Sequence, residues 1–395
     1  MSKSPCSAIH HGFCVTAYGG LNPCCATVGD FSKLKTDDDA SDYWNNNGYL
    51  NYAREAEYTD EWIPECTNCL RKNERGIISR KDKFDQWYSD INEEFTKKNP
   101  KSIVHFDISF GTTCSQQCIM CNSRFSSKWL ADDIALKEEG NDVRMWKQFD
   151  LANWSITHEQ LDQIASLVDE HTRKIEIKGG EPLYDKRFEY FVNKVLEKNP
   201  DVEFSTNTNG MHFNDKTIEM LNNIKRLNID VSIDGTGKLY EWVRSSDWDE
   251  LEKNWNNVLG KLKHTPNLNY TTMCYNVDHI EKMYQWAANT AHKFGREHLT
   301  CNFTQIVTTP KYMAPEYASK ERLHNALEQI DRVIQDPEKI CTKSKIFHPR
   351  LELLKNYIKK HADIDYNKEH YDNFKRTHET MTKIRKWDIH DFINM

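Results

Sequence analysis

From residue 101 to residue 315 the chain alternates short β-rich runs with amphipathic helical stretches, and this alternation constrains the fold more than any other feature. Candidate strands cover 103–110, 174–178, 202–206, 227–233, 268–275 and 299–307. Between them, Phe188, Phe191, Val192, Val195 and Leu196 recur at helical spacing within 187–198. In 278–294, Ile280, Met283, Tyr284, Trp286 and Ala287 fall on one side. Strands separated by helices pair in parallel through right-handed crossovers. Eight such units close a full barrel of roughly 250 residues. Six over this stretch predict an α/β fold built on an open, six-stranded parallel (β/α)6 partial barrel. The chemistry of such barrels gathers at the C-terminal ends of the strands.

Two motifs stand at those ends. Ile103–Phe110 is an apolar run, and Cys114, Cys118 and Cys121 follow it with the spacing C-x3-C-x2-C. No further cysteine follows before Trp129. Three thiolates on one short loop can hold three corners of a cubane iron–sulfur cluster and leave the fourth iron open for chemistry. After the second strand, 174–178, comes Gly179-Gly180-Glu181-Pro182. Two glycines let the backbone approach a ligand closely and take positive φ. The Glu181 carboxylate can accept hydrogen bonds from a ligand ammonium. Alone, such a run reads as an ordinary strand-to-helix turn.

Together the two motifs resemble the radical S-adenosylmethionine (radical SAM) superfamily. The resemblance implies a 4Fe–4S cluster on Cys114, Cys118 and Cys121, whose open iron chelates the methionine moiety of SAM. It implies that Gly179, Gly180 and Glu181 bind the methionine amino group, and that the backbone at Met120 contacts adenine. Weaker matches continue the pattern: Asn207 in Asn-Thr-Asn-Gly after the third strand, Ser232 and Asp234 after the fourth, and Arg244. A guanidinium there can pair bidentately with the methionine carboxylate. Asn276 is a further candidate. For each of these the competing reading is turn and cap chemistry.

The first hundred residues differ. Phe13 to Cys25 reads as a hairpin with a glycine turn, followed by an acidic loop (Asp37, Asp38, Asp39), a Trp44-Asn45 segment and the knuckle Cys66-x2-Cys69. Cys14, Cys24 or Cys25, Cys66 and Cys69 form a candidate four-thiolate set, for which structural zinc and a second 4Fe–4S cluster compete on bare chemistry. Counting four residues from Gly19 selects Cys24, and counting from Gly20 selects Cys25. Beside a radical SAM core the pattern resembles the auxiliary-cluster segments called SPASM and twitch, here placed ahead of the barrel. That resemblance favours iron–sulfur. The expected organisation is a cysteine-rich segment over 1–100, the barrel over 101–315 and a charged helical extension over 316–395. In that extension Leu323, Leu327, Ile330 and Ile334 form one stripe, and Leu351, Leu354 and Ile358 another, suited to capping the open barrel edge.

Composition narrows the class. Hydrophobic residues make up 38% and charged residues 29%, with no apolar run near the ~20 residues that span a bilayer. The start, Met1-Ser-Lys-Ser-Pro-Cys6, lacks the apolar segment of a secretory signal. A net charge of −7 argues against a general grip on nucleic acid. Twelve cysteines, clustered rather than evenly spread, fit metal or cluster ligation in a reducing cytoplasm. Cys274, Cys301 and Cys341 read as small buried hydrophobes, and His105, Asp107 and His171 as structural groups. The resemblance therefore implies an enzyme that cleaves SAM reductively to a 5′-deoxyadenosyl radical and abstracts hydrogen from a substrate. A peptide or protein side chain is the first expectation, and a small metabolite or nucleotide the second. Flavodoxin or ferredoxin is the expected reductant. Two readings of other classes stand beside it: a non-catalytic two-cluster electron-transfer or sensor protein, and a zinc-ribbon interaction protein.

Overall fold

A computed structural model describes residues 6–36, 39–56, 63–74, 78–140, 154–296, 299–307, 310–340, 346, 348–365 and 368–386. Met1–Pro5, Asp37, Asp38 and Cys341, singled out above, lie outside these residues. The chain forms an α/β fold with a mostly parallel, open sheet. It divides into two compact units, Met1–Thr113 with Phe149–Thr206 and Ile224–Leu227, and Cys114–Gln148 with Asn207–Asn223 and Asn228–Met395.

In the first unit the strands are β1 (Gly12–Val15), β2 (Gly20–Asn22), β3 (Ser32–Lys33), β4 (His105–Ser109), β5 (Lys174–Lys178) and β6 (Glu203–Thr208). Their order is β3-β2-β1-β4-β5-β6. All five residues of β4 are buried, as expected of a parallel strand covered on both faces. β4 pairs in parallel with β5, and β5 with β6. The amino-terminal hairpin forms as the glycine turn predicts, with Cys14 opposite Asn22. β1 also runs parallel to β4, with Cys14 beside Asp107, so the hairpin extends the same sheet. Trp44 is buried in helix Asp39–Asn46, where its indole N–H donates to the Lys101 carbonyl at 2.7 Å. Helix Arg187–Lys198 buries Phe188, Phe191, Val192 and Val195, the stripe read from the sequence.

The second unit holds β7 (Arg226–Ser232), β8 (Asn267–Thr272) and β9 (Thr300–Ile306), all parallel. β8 stops at Thr272, three residues short of the expected end. Asn276 causes this: its side-chain N–H groups donate to the Thr271 and Asp234 carbonyls, and its Oδ1 accepts from Met273 N–H. Those bonds close a turn that the apolar run Met273–Tyr275 hides. In helix Lys320–Gln335 the buried stripe is Leu323, Ala326, Ile330 and Val333, whereas Leu327 and Ile334 are only half-buried. The buried face thus runs through Ala326 and Val333 where the sequence pattern pointed to Leu327 and Ile334. Helix Leu351–His361 buries Leu351, Leu354 and Ile358 and packs on β9, so the edge strand is not left bare.

Candidate functional site

The cysteine loop lies in the second unit, and most of its backbone is tied down. Ile119 N–H donates to the Val243 carbonyl at 2.8 Å, and the Trp129 indole N–H to the Cys118 carbonyl at 2.9 Å. The Ser126 hydroxyl donates to the Gln116 carbonyl at 2.9 Å, and the Ser245 hydroxyl to the Gln117 carbonyl at 2.8 Å. Arg385, from helix Lys368–Arg385, donates to the Gln117 carbonyl and the Ser245 hydroxyl, grips Asp132 at 2.7 Å and lies over the Trp129 ring. Cys118 is buried, Cys114 and Cys121 are half-buried, and none is in a disulfide. Met120 is half-buried between them.

Arg244 ends helix Lys238–Arg244 and is itself buried. Its Nη1 lies 3.6 Å from Cys118 Sγ, and its Nε 2.6 Å from Asp234 Oδ2. Burial pushes the Cys118 thiol up, opposed by the guanidinium. Burial likewise raises the Asp234 carboxyl against the pull of Arg244. For Arg244, burial disfavours the charge, but Asp234 and Cys118 outweigh it and hold the pKa above the usual value. Asp234 Oδ1 accepts from Thr271 N–H at 2.6 Å, and Asn276 donates to the Asp234 carbonyl. Ser232 is half-buried at the end of β7, in register with Asn269.

After β6 it is Asn209 that reaches the cysteine loop, donating to Ser115 Oγ at 3.1 Å, while Asn207 is exposed. His212 Nε2 lies 2.8 Å from the same hydroxyl. Asn209 lies in the Asn-Thr-Asn-Gly run from which Asn207 is the sequence candidate, whereas Ser115 and His212 carry no motif that marks them. The signal available was the Asn-Gly step, where Asn209 precedes Gly210 at φ 81° and leaves the strand.

The glycine turn lies in the first unit. Gly179 and Gly180 have φ of 88° and 54°. A Cβ on Gly180 would lie 2.0 Å from the Thr113 carbonyl oxygen, and one on Gly179 1.8 Å from Ser109 Oγ. Neither position accepts a side chain. Glu181 is buried, its N–H donates to the Thr113 carbonyl at 2.8 Å, and Oε1 accepts from Leu183 N–H at 3.1 Å. Thr113 is the residue before Cys114 in the chain.

Below this turn His105, Asp107 and Glu176 place their ligand atoms within 4.8 Å of one another. Cations already serve the carboxylates. Lys178 Nζ lies 2.8 Å from Asp107 and 2.7 Å from Glu176, with Arg80 3.8 Å and 3.7 Å away. Arg80 also donates to His105 Nε2 at 3.2 Å, which leaves Nδ1 to carry the proton toward Tyr88 Oη at 2.8 Å. Burial depresses His105 to about 3. This is a neutral histidine inside an ion-pair network rather than a general base. His171 has its backbone N–H bonded to Asp169 and its ring edge-on to Phe95.

Of the amino-terminal cysteines, Cys24, Cys66 and Cys69 line one cavity, while Cys14 is buried in β1 and Cys25 is exposed. The Cys24 loop is fastened to the knuckle by Val28 N–H to the Glu65 carbonyl at 2.9 Å and by Asn68 to the Ala26 carbonyl at 3.0 Å. Cys274 and Cys301 are buried. Among the described residues no helix is long and apolar enough to cross a membrane.

Residues 108–287 match the family model of the radical SAM superfamily. Among curated proteins, GTP 3′,8-cyclase of Nautilia profundicola is 23% identical over 133 residues, 33% of this chain and 36% of that protein, so the chain matches about a third of its relative's length. Among solved structures, Streptococcus suis SuiB bound to S-adenosylmethionine is 12% identical, with 86% of this chain and 70% of that one covered and a TM-score of 0.37. Native anSMEcpe with bound AdoMet is 15% identical, with 65% and 66% covered and a TM-score of 0.43. The three thiols of this anchored loop, none of them in a disulfide, have the donor chemistry of a three-cysteine cluster site, and the stretch 108–287 that contains them is the part of the chain that matches the radical SAM superfamily.

Proposed function

We propose that Cys114, Cys118 and Cys121 hold a 4Fe–4S cluster at which SAM is cleaved reductively, in order to functionalise a peptide or protein side chain. The observation that carries this reading is the Arg244 guanidinium 3.6 Å from Cys118 Sγ, a buried cation set against a buried thiol. When bound, the reduced cluster and SAM together supply a one-electron cleavage whose deoxyadenosyl radical removes hydrogen from the substrate. The chain's own residues do the rest. Arg244 favours the thiolate over the thiol at Cys118. Asp234 keeps that guanidinium in place, and the loop anchors hold the three sulfurs on one short segment. Gly179 and Gly180 keep the turn free of side chains, so that Glu181 can offer a carboxylate to an ammonium.

In this reading residues 1–100 carry an auxiliary metal site, 101–315 the SAM-cleaving barrel and 316–395 a helical brace. The resemblance of the cysteine-rich segment to auxiliary-cluster domains favours iron–sulfur over zinc at the auxiliary site, since four thiolates suit either on bare chemistry. The peptide substrate rests on the same resemblance, and a flavodoxin or ferredoxin would supply the electrons.

The test is anaerobic reconstitution followed by dithionite and SAM. Wild type should release 5′-deoxyadenosine slowly without substrate, and Cys118→Ala should release none. Cluster-loaded wild type that leaves SAM intact with several reductants would sink the proposal in favour of an electron carrier.

A further inference from the structure

The cavity that receives Cys24, Cys66 and Cys69 has a fourth thiol on its wall, that of Cys6. Cys6 caps helix Ser7–His11, and its carbonyl accepts from Ile9 N–H at 2.9 Å. Two apolar clusters fix its place. Ala8, Phe84, Tyr88, Ile91 and Val104 form one, with Cys6 and Cys24 packed on it. Ile9, Ala53, Ala56 and Ile63 form the other, with Cys6 and Cys66 packed on it. Cys6 thus stands between the cluster that backs Cys24 and the cluster that backs Cys66. Cys14, the fourth ligand expected from the hairpin pattern, does not line this cavity. It is 2% exposed within β1, with Asp107 and Asn22 as its register partners.

We infer that the auxiliary metal site is built from Cys6, Cys24, Cys66 and Cys69, with Cys14 serving as a core residue of the sheet. The inference rests on the proposed auxiliary site and changes its ligands. Four thiolates carry excess negative charge when they hold a metal. Lys81, also on the wall, brings an ammonium to the cavity while it pairs with Asp85 at 2.6 Å. The same Asp85 accepts from Ser7 N–H at 3.4 Å and so anchors the residue after Cys6. The other wall residues include Ala8, Ile9 and Pro23, which give the sulfurs an apolar surround. The four ligands arrive from three places in the chain. Metal binding would therefore pin the first helix and the knuckle to the loop after β2.

The test reads metal, not turnover. In the full chain with Cys114, Cys118 and Cys121 replaced by Ala, anaerobic reconstitution should leave about four irons, those of one cluster. Adding Cys6→Ser should remove most of this iron and its visible absorbance, whereas adding Cys14→Ser should leave both. Iron retained by Cys6→Ser but lost from Cys14→Ser would overturn the ligand assignment and leave the auxiliary site standing. A triple-Ala chain that holds neither iron nor added zinc would remove the auxiliary site itself. A second measurement needs no substitution at either residue. Iodoacetamide labelling of the unsubstituted chain, read by peptide mass, should modify Cys6 at least tenfold more slowly with metal than after chelation. Equal labelling of Cys6 in the two states overturns the proposal.

Discussion

Arg244 contacts Cys118 and Asp234 at once, with Nη1 3.6 Å from the sulfur and Nε 2.6 Å from the carboxylate. The carboxylate is fully buried and also accepts the Thr271 N–H. A cation so enclosed links the end of β7 to the cysteine loop. It also carries an energetic liability, because removal of either charge strands the other.

Arg244→Ala should therefore destabilise the apoprotein by about 3–5 kcal/mol, the usual cost of an uncompensated buried charge. Arg244→Ala with Asp234→Asn should recover part of that loss, yet still retain less iron than wild type, since the guanidinium in contact with Cys118 is gone and only the field of Arg385 remains. Urea unfolding with iron analysis separates the two effects. Equal iron in wild type and the double variant would confine Arg244 to a structural role.

The glycine turn makes a steric prediction. Gly180→Ala would press a Cβ on the Thr113 carbonyl oxygen at positive φ, so it should lose more than ~1 kcal/mol of stability. Gly179→Ala meets a side chain first, Ser109 Oγ, and a backbone oxygen of Gly111 at 2.7 Å second. Ser109→Ala should thus partly rescue Gly179→Ala and do nothing for Gly180→Ala. Equal rescue of both would mean that the turn relaxes freely.

The ion-pair network beneath the turn sets an acid limit. Burial lowers His105 from 6.5 to about 3, so in that interval the unfolded chain takes a proton that the folded chain refuses. Stability then falls as pH falls from about 6.5 toward 3. For Glu176, burial opposes ionisation, but Lys178, His105 and Arg80 outweigh it and bring the carboxyl from 4.5 to about 2. Its contribution is present above about 4.5 and is lost on the way to 2, in the same direction. His105→Gln keeps hydrogen-bonding atoms but cannot titrate. Between pH 5 and 6 its unfolding free energy should change with pH less steeply than that of wild type, by up to about 1.4 kcal/mol per pH unit, the slope of one proton. Identical slopes would remove His105 from the account.

The six barrel strands were legible because short β-rich runs, fully buried in β4 and alternately buried in β6 and β8, stand between stretches of helical period. What stayed hidden depends on side chains that meet across long stretches of chain. The pairing of β1 with β4 joins residues about ninety positions apart, and a local pattern cannot register it. The end of β8 is set by the Asn276 side chain, not by loss of hydrophobicity. At the cysteine loop the spacing was plain, but its fastening by Arg385 from the last described helix was not. Asn207 and Asn209 look alike in sequence, and only the strand's end at Thr208 separates the exposed one from the buried one.

The Arg385 contact predicts a role for that helix. Arg385→Ala should leave the Gln117 carbonyl with the Ser245 hydroxyl as its remaining donor and leave Asp132 buried without its guanidinium. The cluster should then bleach faster under a chelator, with little change in the iron initially bound. An unchanged bleaching rate would show that the loop holds itself.

The last prediction separates a clamp from a scaffold at Glu181. Oε1 already accepts the Leu183 N–H, which is ordinary turn chemistry, so the carboxylate has a structural use without any ligand. Gln at this position keeps a carbonyl oxygen for that bond and loses only the charge. If the carboxylate meets the methionine ammonium, Glu181→Gln should forfeit a charge-assisted hydrogen bond of ~1.5–3 kcal/mol. SAM should then bind roughly ten- to hundredfold more weakly, at unchanged iron content and unchanged thermal stability. Glu181→Ala should lose the cap as well and melt at a lower temperature. Titration of SAM against the reduced cluster, read by its spectroscopic change, measures the affinities. Wild-type affinity in Glu181→Gln would assign Gly179-Gly180-Glu181 to the turn alone and leave the SAM site to the cysteine loop.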